Sequence, residues 1–255
     1  MAQLQLGLGL IGIGKRWGYV DPSVPDESSA IHLLESAYSL GIRYFDTAPS
    51  YGVSEERLGR FLRTLSATER RQIEVATKFG EHWDFERQEP FVDHSFDALK
   101  RSIDGSIERI GLPDALQLHK TTPDVLRSDA LARAWEYAHL AGIPTLGASV
   151  SDLVSADIVL ADSQYRLMQL PFNADNRKFE PVIRRAADQQ VRVAINRPFG
   201  MGKLIHDQGA ITQREAFAFV LGAQFVGVVL TGTKSVEHLR ANVAAFREAV
   251  QLTIP

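Results

Sequence analysis

Residues 30–46, Ala-Ile-His-Leu-Leu-Glu-Ser-Ala-Tyr-Ser-Leu-Gly-Ile-Arg-Tyr-Phe-Asp, hold the unit from which the rest of the chain is built. Ala30, Leu33, Leu34, Ala37 and Tyr38 recur at i, i+3, i+4, i+7 and i+8, the spacing of one apolar face of an α-helix. Asp26 or Ser28 caps its start, and Gly41 stops it. The chain then passes at once into Ile42 to Phe45, a short run of the kind a parallel strand covered on both faces shows. That run ends on a charge, Asp46.

The same pattern recurs downstream. Phe96, Leu99, Ile103, Ile107 and Ile110 form a stripe between Ser95 and Gly111, and Val236, Leu239, Val243, Phe246 and Val250 form another after Ser235. Further helices are expected over 55–65, 129–140, 152–161, 179–189 and 212–223, with strand-like runs at 73–77, 115–118, 145–148, 167–170, 191–195 and 226–230. With the N-terminal run this makes eight strands alternating with eight helices, the signature of an α/β fold closed as a single (β/α)8 TIM barrel, which typically takes ~250 residues. The chain has 255 and no linker or low-complexity tract, so one domain over 1–255 is expected.

Gly7-Leu8-Gly9-Leu10-Ile11-Gly12 matches the G-x-G-x-x-G dinucleotide fingerprint letter for letter. That fingerprint needs a strand before the first glycine and a helix opening at the last. Only six residues precede Gly7, and a polar segment with prolines follows soon after, so the stretch reads as a first strand with a glycine-rich hairpin.

Composition excludes several function classes. There is no cysteine, hence no disulfide scaffold, thiolate zinc site or thiol nucleophile. A net charge of -3 lacks the basic excess that binding a phosphate backbone needs, so nucleic acid is not an expected partner. No apolar run approaches the ~18–20 residues that span a bilayer, and no basic stretch opens a secretory signal, so no membrane association and a cytoplasmic location are expected. None of the histidines His32, His82, His94, His139 and His206 has the spacing of a metal motif, and no metal is expected.

Function enters through the strand ends. The apolar runs terminate in Asp46, Lys78, His119, Ser149, Gln169, Asn196 and Thr231. In a barrel these are the carboxyl ends of the strands, the face where active sites are built. Tyr51, five residues after Asp46, can curl back over them. A buried lysine needs an anion, an ammonium lowers the pKa of a neighbouring phenol, and a phenol so tuned exchanges a proton with a carbonyl or alcohol oxygen. His119 would hydrogen-bond the same oxygen.

In this order and spacing, Phe45-Asp46-Thr47-Ala48-Pro49-Ser50-Tyr51-Gly52, Ala76-Thr77-Lys78-Phe79 and Leu116-Gln117-Leu118-His119 resemble the aldo-keto reductase superfamily, in a short bacterial-type form. Leu146-Gly147-Ala148-Ser149, Gln169-Leu170-Pro171-Phe172-Asn173, Arg197-Pro198-Phe199 and Thr231-Gly232-Thr233-Lys234-Ser235 with Asn242 extend the resemblance over nearly the whole chain. It implies an oxidoreductase acting on an aldehyde or ketone with NADPH, or NADH in its place. Tyr51 is then the general acid, Lys78 lowers its pKa, Asp46 pairs with Lys78, and His119 orients the carbonyl. The resemblance places Ser149 and Gln169 at the carboxamide, Asn196, Arg197, Pro198, Phe199 and Gly232 along the cofactor, Lys234 and Ser235 at a 2′-phosphate, and Asn242 at the adenine.

Three positions depart from the family pattern. Val150 follows Ser149 where the family has Asn, Asn196 stands where an aromatic ring often stacks, and His238 replaces an Arg or Gln that meets the 2′-phosphate. Trp17, Tyr19, Trp83 and Phe85 follow strands one and three on the same face and are candidates for an apolar substrate wall. The few residues after Val250 point to an open pocket and broad substrate tolerance, because many relatives fold a long C-terminal segment over theirs. Two alternatives stand beside this reading. A Schiff-base aldolase would use Lys78 as nucleophile but leaves the eighth-strand motif without a purpose. A cofactor-binding regulatory protein of the same fold, with little turnover, would not need the four-residue set. No partner beyond a small-molecule carbonyl substrate is read from the sequence.

Overall fold

The computed structural model describes residues 4–18, 22–205 and 211–253; Tyr19 and His206 lie outside them. Ten strands are formed: β1 (Gln5–Gly9), β2 (Tyr44–Asp46), β3 (Glu74–Phe79), β4 (Glu81–Asp84), β5 (Glu89–Val92), β6 (Ala115–Leu118), β7 (Leu146–Ser149), β8 (Tyr165–Pro171), β9 (Arg192–Asn196) and β10 (Gly227–Thr231). Eight of them close a parallel barrel in the order β1-β10-β9-β8-β7-β6-β3-β2, while β4 and β5 make a separate antiparallel hairpin. Helices Glu27–Ser39, Ser54–Thr64, Phe96–Ile110, Asp129–Leu140, Leu153–Ala161, Glu180–Asp188, Gln213–Leu221 and Val236–Thr253 cover the outside.

The local signals act as their chemistry dictates. The Asp26 side chain accepts the Ser29 amide and caps the first of these helices, and Gly41 takes the left-handed φ of +95° that ends it. Leu33, Leu34 and Ala37 on its apolar face are buried. Gly111 ends Phe96–Ile110 in the same way, at φ +75°.

Two details differ from the sequence reading. After β1 the chain forms a single helical turn, Ile11–Gly14, in place of a hairpin. The loop after β3 is itself structured as the β4–β5 hairpin. Its turn is closed by the Asp84 carboxylate, which accepts the amides of Glu86 and Arg87, and by Gln88 at φ +57°. His82 stacks on Phe91 across the ribbon at 5.2 Å. Charged residues in both strands hid the alternation that would have announced it.

Inside the barrel the side chains lie in layers. At the amino ends Arg192 makes a two-pronged ion pair with Glu74, at 2.6 and 2.9 Å. Above it sits a dry cluster of Tyr44, Ala76, Ala115, Leu167, Ala194, Val228 and Leu230. Above that, inward positions two residues further along the strands turn polar: Asp46, Lys78, Gln117 and Gln169.

One charge lies outside the barrel wall. Glu55, 1% exposed, accepts hydrogen bonds from Thr77 on β3 (2.6 Å), Ser106 (2.8 Å) and Arg109 Nε (2.8 Å), tying two helices to the strand that carries Lys78. Glu55→Ala removes the acceptor for all three and is expected to cost about 3 kcal/mol of unfolding free energy. Urea denaturation checks this, and a loss under about 1 kcal/mol would show that water replaces the carboxylate freely.

Candidate active site

Asp46, Lys78 and His119 end or directly follow adjacent strands, and the register of β2, β3 and β6 sets them side by side above the dry cluster. Tyr51 reaches the group by a different route. Residues Pro49–Tyr51 make one 3-10 turn, and Gly52 follows at φ +61°. A Cβ at Gly14 would collide with the Tyr51 carbonyl, and a Cβ at Gly52 with the Gly14 carbonyl, so two glycines let these backbones touch. The Val53 amide donates to Gly14 O at 3.2 Å, and the Arg57 guanidinium donates to Ile13 O. The turn after β1 therefore fixes the height of Tyr51.

The centre of the site is an ion pair out of water. Lys78, 1% exposed, donates to Asp46 Oδ1 at 2.6 Å and to the Thr47 carbonyl at 3.0 Å. Asp46 also accepts the amide of Gln117 at 3.2 Å and that of Gln169 at 3.4 Å. Burial alone would pull the Lys78 ammonium down, but Asp46 foremost, then Tyr51, more than reverse this and hold it above an ordinary lysine. A Schiff-base nucleophile needs the opposite, a free amine, so the aldolase reading has no support here. Lys78 Nζ lies 5.0 Å from the Tyr51 ring centroid.

The expected fall in the Tyr51 pKa is not the net result. Burial raises the phenol, Lys78 opposes this, and Asp46 adds to the rise, leaving Tyr51 above the usual value of about 10. The group is a protonated phenol at neutral pH, a form that donates.

His119 packs edge-on to Tyr51 at 6.1 Å. Its Nδ1 lies 3.1 Å from Glu81 Oε2, at the start of the hairpin, while Glu81 Oε1 meets Lys120 at 3.1 Å. Burial first, then the ammonium groups of Lys78, Lys120 and Lys15, hold His119 well below the ordinary histidine value. Nδ1 also faces the Ser50 hydroxyl at 3.5 Å, which can donate or accept, so the one hydrogen of the neutral ring can sit on either nitrogen. Glu81 and Gln117 were both missed from sequence. Gln117 had a signal, since it lies two residues before His119 and so on the same strand face.

These groups open onto a cavity of about 1050 Å³ at the barrel mouth. Lining it are Asp46, Tyr51, Lys78 and His119, together with Ser149, Gln169, Asn196, Arg197, Pro198, Phe199, Gly232, Lys234, Ser235, His238 and Asn242, all expected from sequence. Trp17 also lines it. Trp83 and Phe85 line a smaller cavity of about 220 Å³, and the Trp83 ring stands 5.2 Å from Nζ of Lys15, which lines the larger one. Val150 is buried in the apolar core and offers the cavity nothing.

The cavity fits a nicotinamide dinucleotide. Gln169 Oε1, Asn196 Oδ1 and Thr231 Oγ1 are buried on its lining residues without a hydrogen-bond partner among the described residues. Gly9 and Gly232 line it where an added Cβ would come no nearer than 3.7 and 3.5 Å to another atom, so folding alone does not demand glycine there and a ligand can approach the backbone. At the far end Ser235 Oγ accepts the His238 amide and caps the helix Val236–Thr253, whose N-terminus with Lys234 suits an anion. Lys234 itself donates to the Ser23 carbonyl at 2.8 Å, and Asn242 Oδ1 accepts from Gln213 at 3.1 Å. Lys120, Arg197 and Met201, three cavity residues with side chains, hold left-handed backbone at φ +53°, +55° and +62°. Strain of this kind gathers at binding sites.

A model of the Aldo/keto reductase family matches residues 5–208. L-galactose dehydrogenase of Arabidopsis thaliana is 36% identical over 118 residues, covering 45% of this chain and 33% of that protein. D-threo-aldose 1-dehydrogenase of a Pseudomonas species is 33% identical over 213 residues, covering 65% and 58%. A Pseudomonas aeruginosa crystal structure described as an aldo-keto reductase superposes with a TM-score of 0.81 at 26% identity, over 96% of this chain and 90% of that one. The chain spans about a third to three-fifths of the length of these curated relatives.

The burial of His119 among ammonium groups predicts a neutral ring that does not titrate between pH 6 and 8, as read by ¹⁵N NMR. Because the folded pKa lies below the unfolded value near 6.5, the neutral ring contributes stability above pH 6.5 that is lost as the pH falls. A ring that titrates near 6.5 would contradict the assignment.

Proposed function

The chain belongs to the aldo/keto reductase family, and on that premise we propose that it is a nicotinamide-dependent oxidoreductase that interconverts an aldehyde or ketone with its alcohol, Tyr51 acting as the acid in reduction. The observation that carries this is the convergence of Tyr51, Lys78, Asp46 and His119 from four separate segments onto one cavity, with the phenol held protonated.

When bound, the nicotinamide supplies hydride for reduction or takes it up in oxidation. Its carboxamide end falls to Gln169, Ser149 and Asn196, the partnerless oxygens being the natural acceptors for its N–H groups. Lys234, Ser235 and the first turn of the final helix receive the adenosine phosphate, so NADPH is the favoured cofactor. Exposed His238 stands where the family pattern has an Arg or Gln, which leaves room for NADH.

As reduction proceeds, negative charge grows on the substrate oxygen and the Tyr51 hydroxyl gives up its proton to it. The phenolate that remains is stabilised by Lys78, whose charge Asp46 maintains. The Gln117 and Gln169 amides hold Asp46 in place, so the ammonium is not dragged away from the ring. His119, neutral and edge-on to Tyr51, orients the substrate oxygen, and the proton for a carbonyl oxygen is left to Tyr51. In oxidation the same phenol must first lose its proton.

Two outcomes test this. Tyr51→Phe keeps the ring contacts with His119 and should lower kcat for carbonyl reduction by about 10²–10⁴, with NADPH binding by fluorescence titration retained. Wild-type reduction should be flat through neutral pH and fall only above about 10, while alcohol oxidation climbs with pH over the same range. A variant reducing a carbonyl panel at the wild-type rate would sink the mechanism, and a wild-type protein that binds NADPH but turns over nothing would restore the regulatory reading. Lys234→Met should weaken NADPH at least about tenfold and leave NADH nearly unaffected; equal effects on both would remove the phosphate assignment.

A further inference from the structure

Beside Tyr51 the wall of the cavity carries a cation that the mechanism does not use. Lys15, at the end of the turn after β1, lines the cavity, with Nζ 5.7 Å from the Tyr51 ring centroid and 5.2 Å from that of Trp83. Two aromatic faces thus shelter its stem side, a contact that favours a cation but satisfies none of its N–H groups. Among the described residues its ammonium makes no hydrogen bond or ion pair. The carboxylate in the neighbourhood, Glu81, is already divided between His119 and Lys120 at 3.1 Å each.

The local charge does not balance. Around Tyr51 stand three ammonium groups, Lys15, Lys78 and Lys120, and two carboxylates, Asp46 and Glu81. One positive charge is left over, in a chain whose net charge is -3, so the excess belongs to this corner and not to the molecule. Lys15 is half-buried, and burial pulls its pKa down by more than Glu81, the nearby carboxylate it shares with His119 and Lys120, restores.

We infer that this site takes a carbonyl substrate that also bears a carboxylate, whose charge is received by the Lys15 ammonium beside Tyr51. The inference rests on the oxidoreductase reading above and names the substrate class for it. A carboxylate is the match because the excess is a single charge; a phosphate monoester would bring close to two. The site lies at the Tyr51 end of the cavity, apart from Lys234 and Ser235 at the start of the final helix, so the substrate's anion and the cofactor's phosphate are read by different residues.

The test compares glyoxylate, 3-carboxybenzaldehyde and 4-carboxybenzaldehyde, each against its methyl ester, in wild type, Lys15→Met and Lys15→Arg. Wild type should favour at least one acid over its ester at least tenfold in kcat/KM. Lys15→Met should erase that preference at least tenfold through KM, and Lys15→Arg should restore most of it. In parallel, the dissociation constant of benzoate is read from tryptophan fluorescence, with Trp83 next to Lys15 as reporter, and should rise at least tenfold in Lys15→Met. Equal losses on acid and ester, no change in benzoate binding, or an effect confined to NADPH affinity would each overturn the inference. If benzoate binds through Lys15 yet no aldehyde is turned over, the anion site stands and the oxidoreductase reading falls.

Discussion

The Lys78–Asp46 pair is held where neither charge has access to water, and most of the site follows from what that requires. Removing a carboxylate and an ammonium from solvent is costly, and their attraction offsets the cost only if the remaining donors and acceptors are met. Here they are met by Gln117, Gln169 and the Thr47 carbonyl, contributed by β6, β8 and the segment after β2. The polar layer is thus a consequence of one ion pair: three sides of the barrel must offer amides or carbonyls at the same height. The lower layers can then be dry, because no other charge needs company until the Glu74–Arg192 pair beneath them.

The same pair decides the state of Tyr51. An ammonium standing alone beside a phenol would drag its pKa downward. Here burial of the phenol outweighs the ammonium, and Asp46 at 2.6 Å from Lys78 offsets part of its pull, so the net shift is upward. On the proposed mechanism, Lys78 would act mainly once the proton has left, when a phenolate stands beside it as a second negative charge after Asp46. That division of labour depends on the glycine contact between Gly14 and Gly52, which sets how far the ring stands from Nζ.

The barrel was legible because its signals are periodic. Stripes such as Phe96 to Ile110, preceded by Ser95 and stopped by Gly111, depend on spacing within one segment, and strand-end groups such as Asp46, Lys78 and His119 stand out by breaking an apolar run. The β4–β5 hairpin was not legible, since Glu81, His82, Asp84 and Glu89 mask its alternation and its closure rests on one Asp84 turn. Nor could spacing show that Glu81, 38 residues before His119, would meet its ring. The sign of the Tyr51 shift was missed for a related reason. It is a balance between burial and two opposite charges, and burial is a property of the assembled barrel.

The braced floor of the barrel has a further consequence. Arg192 and Glu74 grip each other across the amino ends of β9 and β3, and the apolar plug above them leaves no channel from that side. The reaction vessel is blind at one end. Among the described residues, whatever enters or leaves the cavity, the proton that the proposed Tyr51 acid would need included, comes by the carboxyl-end mouth. Whichever occupant lies deeper must arrive first and depart last, so the order of traffic is built into the architecture before any affinity is considered.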